Sequence, residues 1–79
     1  MISKIEAIDI GRQYIGRNKI LKESCNDFMT SDSPVPKYYI VEILYENEDG
    51  DIFRTYLQIL INGIVSIWNT SYIKNIDDE

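Results

Sequence analysis

The feature that most constrains the fold is the dipeptide Asn62-Gly63, which separates two runs rich in apolar residues. Asn-Gly is the pair that most readily takes positive φ at both central positions of a type I′ turn, and this turn connects antiparallel strands. The pattern therefore predicts a β-hairpin with strands at residues 51–61 and 64–68.

A two-residue turn at this point would fix the pairing of the two strands. It would place Leu57 opposite Trp68 on one face of the sheet, and Ile59 opposite Ser66. Because large aromatic side chains dominate the cores of small domains, Trp68 is predicted to lie in the core rather than at a binding surface.

A third strand is predicted at residues 37–46, which are rich in Tyr, Ile and Val. The polar residues that follow it are typical of a turn, so the three strands form an antiparallel meander. The polar segment 24–36 contains two prolines and is predicted to be a long surface loop. The acidic tail at residues 77–79 is expected to fray.

The N-terminal segment has the periodicity of a helix. Ser3 and Glu6 match a capping box, in which each side chain accepts a hydrogen bond from the backbone N–H of the other residue. A helix is predicted at residues 3–17, with Gly11 on its apolar stripe, where a sheet could approach the helix backbone closely. The chain is therefore predicted to be one α+β domain over residues 1–79, an N-terminal helix packed on a three-stranded antiparallel β-meander. The other members of the apolar stripe are Ile5, Ile8 and Ile15.

One helix can cover only one face of such a sheet, yet apolar side chains occur on both faces of the predicted strands. Monomeric proteins seldom expose an apolar patch larger than roughly a few hundred Å² without a use for it. Tyrosine suits an interface because it offers a large contact area, a hydroxyl group and few rotatable bonds. Tyr39, Tyr45 and Tyr56 are therefore predicted to anchor a partner protein. The alternative is that the loop at 24–36 and the C-terminal tail fold over the second face.

The predicted turn between the first two strands is strongly acidic, with Glu46, Glu48, Asp49 and Asp51. Its alternating oxygen ligands resemble those of a calcium-binding loop, but the downstream bidentate glutamate of such loops is missing. A plain hairpin turn is predicted instead. Its acidic side chains would form the rim of the binding surface and attract a partner with a basic surface.

The residue types that carry most enzyme chemistry are scarce in this chain. It has no histidine, and Cys25 is its only cysteine. Cys25 falls in the predicted polar loop, where no imidazole could activate its thiol. Zinc would lack ligands, and no glycine-rich phosphate loop occurs. We therefore expect a protein without catalytic residues, metal or cofactor, and not an enzyme.

Charge and cysteine content restrict the partners and the compartment. The chain has 13 acidic and 8 basic residues, and the basic residues are scattered, which disfavours direct nucleic-acid binding. A lone cysteine favours a reducing compartment. The N-terminal residues do not resemble a signal peptide, and no apolar run is long enough to cross a membrane. A cytoplasmic protein that does not bind membranes is expected.

Several short stretches resemble the PepSY family and related small bacterial immunity proteins. Residues 2–10 (ISKIEAIDI) are similar to the opening helix pattern I-S-x-x-E-A-I-x-I-A, and residues 59–67 (ILINGIVSI) to the ending V-D-x-x-T-G-E-V-L-S-I. Residues 39–43 (YIVEI) and Asp49-Gly50 lie between them. The resemblance implies a PepSY/cystatin-like fold and an inhibitory or binding module without enzymatic activity. The chain departs from the family in its shorter turn, and PepSY domains are usually exported.

These observations favour a small inhibitor or immunity-type protein that neutralises a partner enzyme or toxin. One alternative is a virus- or plasmid-encoded acidic antagonist of a host nucleic-acid enzyme, in which carboxylates imitate phosphates. Another is a self-associating structural protein that buries its second sheet face in a homodimer.

Overall fold

The computed structural model describes residues 1–29, 32 and 35–77. Within these residues one helix precedes four strands, and each strand pairs antiparallel with the next, so that the sheet order is β1-β2-β3-β4. The predicted α+β class with an antiparallel meander is confirmed, and the predicted count of three strands is wrong. The elements are α1 (Lys4–Ile15), β1 (Lys19–Phe28), β2 (Tyr38–Glu46), β3 (Asp51–Leu60) and β4 (Val65–Asn75).

The ends of α1 are set by local hydrogen bonds. The Ser3 Oγ accepts from the Glu6 N–H, and the Glu6 carboxylate accepts from the Ser3 N–H, which confirms the predicted capping box. The helix ends at Ile15, two residues before the predicted end, because Gly16 takes a positive φ of 67° and leaves the helical path.

The missed strand is β1, which occupies Lys19–Phe28. The segment from Ser24 to Phe28, part of the predicted loop at 24–36, pairs residue by residue with β2. Its polar composition is compatible with a strand because β1 lies at the edge of the sheet, where one side of its backbone and part of its side chains meet solvent. Within the rest of the predicted loop, residues 30, 31, 33 and 34 lie outside the described residues.

The β3–β4 connection is a hairpin, as predicted, but its turn has three residues rather than two. The Leu60 N–H donates to the Ile64 carbonyl, and the Gly63 N–H donates to the Leu60 carbonyl, both at 2.8 Å. Within this turn Gly63 has a positive φ of 89° and Asn62 does not, so the turn does not adopt the type I′ geometry. The Asn62 side chain instead accepts a hydrogen bond from the Ile64 N–H.

The longer turn shifts the pairing by one residue, and a β-bulge at Ser66 reverses the shift. Ile59 consequently pairs with Val65 and not with Ser66, whereas the predicted pair of Leu57 and Trp68 is confirmed.

Strand β4 continues well beyond its predicted end at residue 68. It pairs with β3 as far as Asn75, and the Ile76 N–H then donates to the Gly50 carbonyl at 2.7 Å. Residues 72–75 are therefore part of the sheet. Of the tail at 77–79, residues 78 and 79 lie outside the described residues.

The core forms between α1 and one face of the sheet. Gly11 lies so close to β2 that a Cβ atom there would be 2.9 Å from the Val41 Cγ1, which confirms the predicted close approach of the sheet. The helix packs over β1 and β2, so the outer part of the same face, on β4, stays largely open. The buried apolar side chains of this core are Ala7, Ile15, Tyr39, Val41, Ile43, Leu57 and Ile59.

Candidate protein-binding surface

Tyr39 does not belong to a binding surface. Its side chain is only 4% exposed, and its hydroxyl donates a hydrogen bond to the Ile2 carbonyl at 2.9 Å. The contact fixes the segment before α1 to the sheet. The predicted role of Tyr39 as a partner anchor is therefore wrong, because its ring lies in the core under the helix.

The other two predicted anchors lie on opposite faces of the sheet. Tyr45 pairs with Phe53 on the face that carries α1, and their rings stack with centroids 5.5 Å apart. Tyr56 pairs with Glu42 on the other face. Both tyrosines are half-buried, and no single partner surface contains the three predicted residues.

Trp68 lies at the surface, contrary to the predicted core position. Its side chain is 58% exposed, although its cross-strand neighbour Leu57 is fully buried. The reason is the position of the helix, which covers Leu57 on β3 but does not extend over β4. Tyr14 of α1 contacts the indole ring edge-on, with centroids 5.1 Å apart.

A second exposed aromatic residue, Tyr72, lies four residues further along β4. Its ring contacts Phe53 edge-on at a centroid distance of 5.6 Å, and Phe53 in turn stacks on Tyr45. Between the two exposed rings, the Thr55 and Thr70 hydroxyls share a hydrogen bond of 3.0 Å. We call the two groups of aromatic residues on either side of this threonine pair the aromatic strip; it consists of Tyr14, Trp68, Phe53, Tyr72 and Tyr45.

Sequence reasoning missed most of the aromatic strip. The signal that could have found it is the alternation of Trp68, Thr70 and Tyr72, which continues the period of a strand beyond the predicted end at residue 68. Even with that signal, the exposure of the two rings depends on where the helix lies, which periodicity does not specify.

The predicted acidic turn is held by several hydrogen bonds. The Asn47 Oδ1 accepts hydrogen bonds from the N–H groups of Asp49 and Asp51, at 3.0 and 2.9 Å. The Asn75 side chain donates to the Asp51 carboxylate at 2.8 Å and to the Asp49 carbonyl at 3.1 Å. Asp51 and Asn75 pair beside Phe53 and Tyr72, so one end of the aromatic strip borders this turn. We call Glu46, Glu48, Asp49 and Asp51 the acidic tip.

The face of the sheet away from α1, which we call the open face, is only partly apolar. Phe28 stacks on Tyr38 at 4.8 Å near the β1–β2 loop, and this end is apolar. The middle is polar, where a shallow depression of about 190 Å³ is lined by Lys22, Ser24, Glu42, Leu44 and Arg54.

Two hydrogen bonds bear on the alternative that the loop and the tail fold over the open face. The Lys37 N–H donates to the Phe28 carbonyl at 2.8 Å, so the chain next to the loop continues the β1–β2 ladder. The Ile76 N–H bond to Gly50 likewise continues the β3–β4 ladder. At Lys37, beside the loop, and at Ile76, before the tail, the backbone thus extends the sheet.

Cys25 lies on β1 rather than in a loop and packs against the core. Burial raises the pKa of its thiol; the nearby Lys4 lowers it and Asp27 raises it further. A thiol with a raised pKa stays protonated near neutral pH and is a poor nucleophile. Among residues 1–29, 32 and 35–77, no three His, Cys, Asp or Glu side chains come together in a way that could hold a metal ion.

No helix in the described part of the chain is both long and apolar enough to cross a membrane. Comparison of the sequence and the structure with protein-family models, curated proteins and solved structures finds no match. The resemblance to PepSY domains therefore stays a prediction from the sequence.

Proposed function

We propose that this protein is a non-enzymatic binding module that holds a partner protein on its aromatic strip. The observation that carries the proposal is the exposure of two large aromatic rings on one strand: Trp68 is 58% exposed and Tyr72 is 55% exposed. Both rings are fixed by contacts with Tyr14 and Phe53, so they form a preorganised surface.

The energetics of binding favour such a surface. Trp and Tyr provide a disproportionate share of the free energy at protein interfaces because they bury a large area and lose few rotamers. Side chains that are already held by neighbouring rings lose still less entropy on binding. Exposing the same rings to water without a partner would favour aggregation.

The acidic tip supports a partner with a basic surface. Its carboxylates lie at the end of the aromatic strip, where they could attract cationic side chains before the rings make contact. The partner class that we infer is an enzyme or toxin whose basic working surface this protein covers, as in inhibitors and immunity proteins. The lone cysteine supports a cytoplasmic location.

The proposal is tested by affinity capture from the native cells with the immobilised chain and two variants. We expect the wild-type protein to retain a partner that the double variant Trp68→Ala/Tyr72→Ala loses. The matched control is Tyr56→Ala, which removes a half-buried tyrosine from the open face and is expected to retain the partner. Loss of the partner with Tyr56→Ala but not with the double variant would move the binding surface to the open face.

The contribution of the acidic tip is tested on the captured partner with Glu48→Lys/Asp49→Lys. Both side chains are exposed, and Asp51 is left unchanged because it bonds to Asn75. We expect slower association and a weaker dependence of the association rate on salt, measured by surface plasmon resonance at two ionic strengths. An unchanged rate would remove the acidic tip from the binding surface. Competition by DNA for the same partner would identify it as a nucleic-acid enzyme.

A further inference from the structure

The two edges of the sheet differ sharply in charge. Edge strand β1 carries four charged residues among its ten: Lys19, Lys22, Glu23 and Asp27. Edge strand β4 has eleven residues and only one charge, on Lys74. Charged side chains are the usual protection of a sheet edge against pairing with another strand. That protection is present on β1 and almost absent on β4.

Strand β4 also has the properties that favour pairing at its free edge. It is long, and half of its backbone N–H and C=O groups point away from β3, as in any edge strand. Ile67 and Ile73 are exposed on it in addition to the two aromatic rings. Long edge strands with exposed apolar side chains are templates for a further strand.

We propose that β4 pairs antiparallel with β4 of a second copy of this chain, about a two-fold axis at Thr70. The two four-stranded sheets then form one continuous sheet of eight strands. In this register the residues within three positions of the axis are opposite chemically similar ones. The pairs across the axis are Thr70 with Thr70, Asn69 with Ser71, Trp68 with Tyr72, and Ile67 with Ile73.

The side-chain pairs within the regular part of β4 select this register. The extra residues of the two β-bulges are Ser66 and Ile73, so residues 67–72 form an uninterrupted stretch. The pairs between residues 68 and 72 lie inside this stretch, and the pair of Ile67 and Ile73 lies at its end, where Ile73 belongs to a bulge. An axis at Asn69 would place Trp68 opposite Thr70, and an axis at Ser71 would place Ile67 opposite Asn75. Both alternatives lose the aromatic pair and the isoleucine pair, which are the contacts that stabilise cross-strand pairing most.

The charge distribution favours a second copy over a foreign strand. The chain has a net charge of −5, so most of its surfaces would repel a copy of itself. Strand β4 contains no acidic residue, and in the proposed register Lys74 lies opposite the neutral Ser66. Similar side chains lie at equal distances on both sides of Thr70. An identical strand running antiparallel therefore presents matching side chains, whereas a foreign strand need not.

Edge pairing uses backbone groups and leaves both faces of the sheet free. The two aromatic strips would meet across the axis, with Trp68 of each copy beside Tyr72 of the other. The dimer does not depend on the proposed function, because self-association is measured on the purified chain alone.

The test is sedimentation velocity of the purified chain over a range of concentrations, with three double variants at Asn69 and Ser71. Both side chains are exposed, so substitutions there leave the core intact. Two of the variants, Asn69→Glu/Ser71→Glu and Asn69→Lys/Ser71→Lys, introduce like charges. In the proposed dimer, residue 69 of each copy lies opposite residue 71 of the other, so two pairs of like charges face each other. We expect them to raise the dimer dissociation constant by about tenfold or more.

The opposite-charge variant Asn69→Glu/Ser71→Lys is the matched control. Only an axis at Thr70 places each introduced Glu opposite an introduced Lys, so this variant should dimerise at least as well as the wild type. An axis at Asn69 or Ser71 would place like charges opposite each other and dissociate it. Circular dichroism verifies that each variant is folded.

Hydrogen exchange of the wild-type chain provides a second measurement that needs no variant. Amides in residues 67–73 should become more protected as concentration rises, whereas amides of β1 should not change. A wild-type chain that stays monomeric, a dimer that tolerates the like-charge variants, or concentration-dependent protection outside β4 would each overturn the proposal.

Discussion

Leu57 and Trp68 face each other across β3 and β4, yet their surroundings differ completely. Leu57 is fully buried beneath α1, and Trp68 is more than half exposed. The contribution of a side chain to stability depends on the area that it buries and on the cavity that its loss would leave. The smaller of the two residues should therefore matter more for folding.

We expect Leu57→Ala to lower the free energy of unfolding by about 2–5 kcal/mol. Trp68→Ala should lower it by about 1 kcal/mol, since it removes a partly exposed ring and one edge-on contact with Tyr14. Urea denaturation followed by circular dichroism measures both. A larger loss for Trp68→Ala than for Leu57→Ala would assign the tryptophan to the core.

Arg12 of α1 and Glu23 of β1 form the main ion pair between the helix and the sheet. The Arg12 Nε donates to the Glu23 Oε2 at 2.9 Å, and the Arg12 Nη2 contacts the Glu23 Oε1. This hydrogen bond lowers the pKa of the Glu23 carboxyl from its ordinary value of 4.5, against the opposing effect of partial burial. The pair therefore favours the charged form of Glu23 in the folded chain.

The lowered pKa makes this contribution to stability dependent on pH. The contribution is fully present above about pH 4.5, where Glu23 is charged in both the folded and the unfolded chain. It declines as the pH falls through the lower pKa of the folded state, because protonation then breaks the pair. Glu23→Gln should be less stable than the wild type at pH 7 and should differ less from it at low pH, as measured by denaturation at several pH values. A difference that stays constant from pH 7 to low pH would show that the pair is not responsible.

At the scale of elements, the packing of α1 on the sheet depends on the absence of a side chain at Gly11. A Cβ atom there would lie 2.9 Å from the Val41 Cγ1 and 3.2 Å from the Ile43 Cδ1. Both of these side chains are fully buried, so they have little room to move. The helix would have to rise from the sheet.

We expect Gly11→Ala to lower the free energy of unfolding by about 1–3 kcal/mol, although alanine is the better helix former. The matched control is Gln13→Ala, at an exposed position of the same helix, where the change should be close to zero. Thermal unfolding of the wild type and both variants measures the change in the free energy of unfolding. A stabilised Gly11→Ala variant would mean that helix propensity outweighs the close packing against β2.

At the scale of the whole molecule, the sheet makes the protein elongated. Its principal extents are 48, 22 and 17 Å, and its radius of gyration is 13.9 Å. A compact domain of this length would have a radius of gyration of about 12 Å. The difference arises because a strand of eleven residues spans about 36 Å, while the helix covers only part of the sheet.

Small-angle X-ray scattering at low protein concentration should give a radius of gyration of about 14 Å for the monomer. The measurement is sensitive to the ordered length of β4, which would be shorter if the sheet ended at residue 68. A value near 12 Å would indicate that the outer part of the sheet folds back on the core.

The sequence by itself determined the features that depend on neighbouring residues. The capping box of Ser3 and Glu6 starts the helix, and the glycine-containing turns join β2 to β3 and β3 to β4. Alternating apolar residues identify the two central strands, and Gly11 marks the close approach of helix and sheet. Each of these features rests on local hydrogen bonding or on a periodicity that a short stretch of chain contains.

Only the tertiary structure decided which surfaces are buried. The polar β1 is a strand because β2 offers it a pairing partner, and β4 continues to Asn75 because β3 extends beside it. Tyr39 is buried and Trp68 is exposed because the helix lies over β1 and β2 and leaves β4 uncovered. Burial depends on which distant elements meet, and the spacing of residues along one strand contains no information about the position of the helix above it.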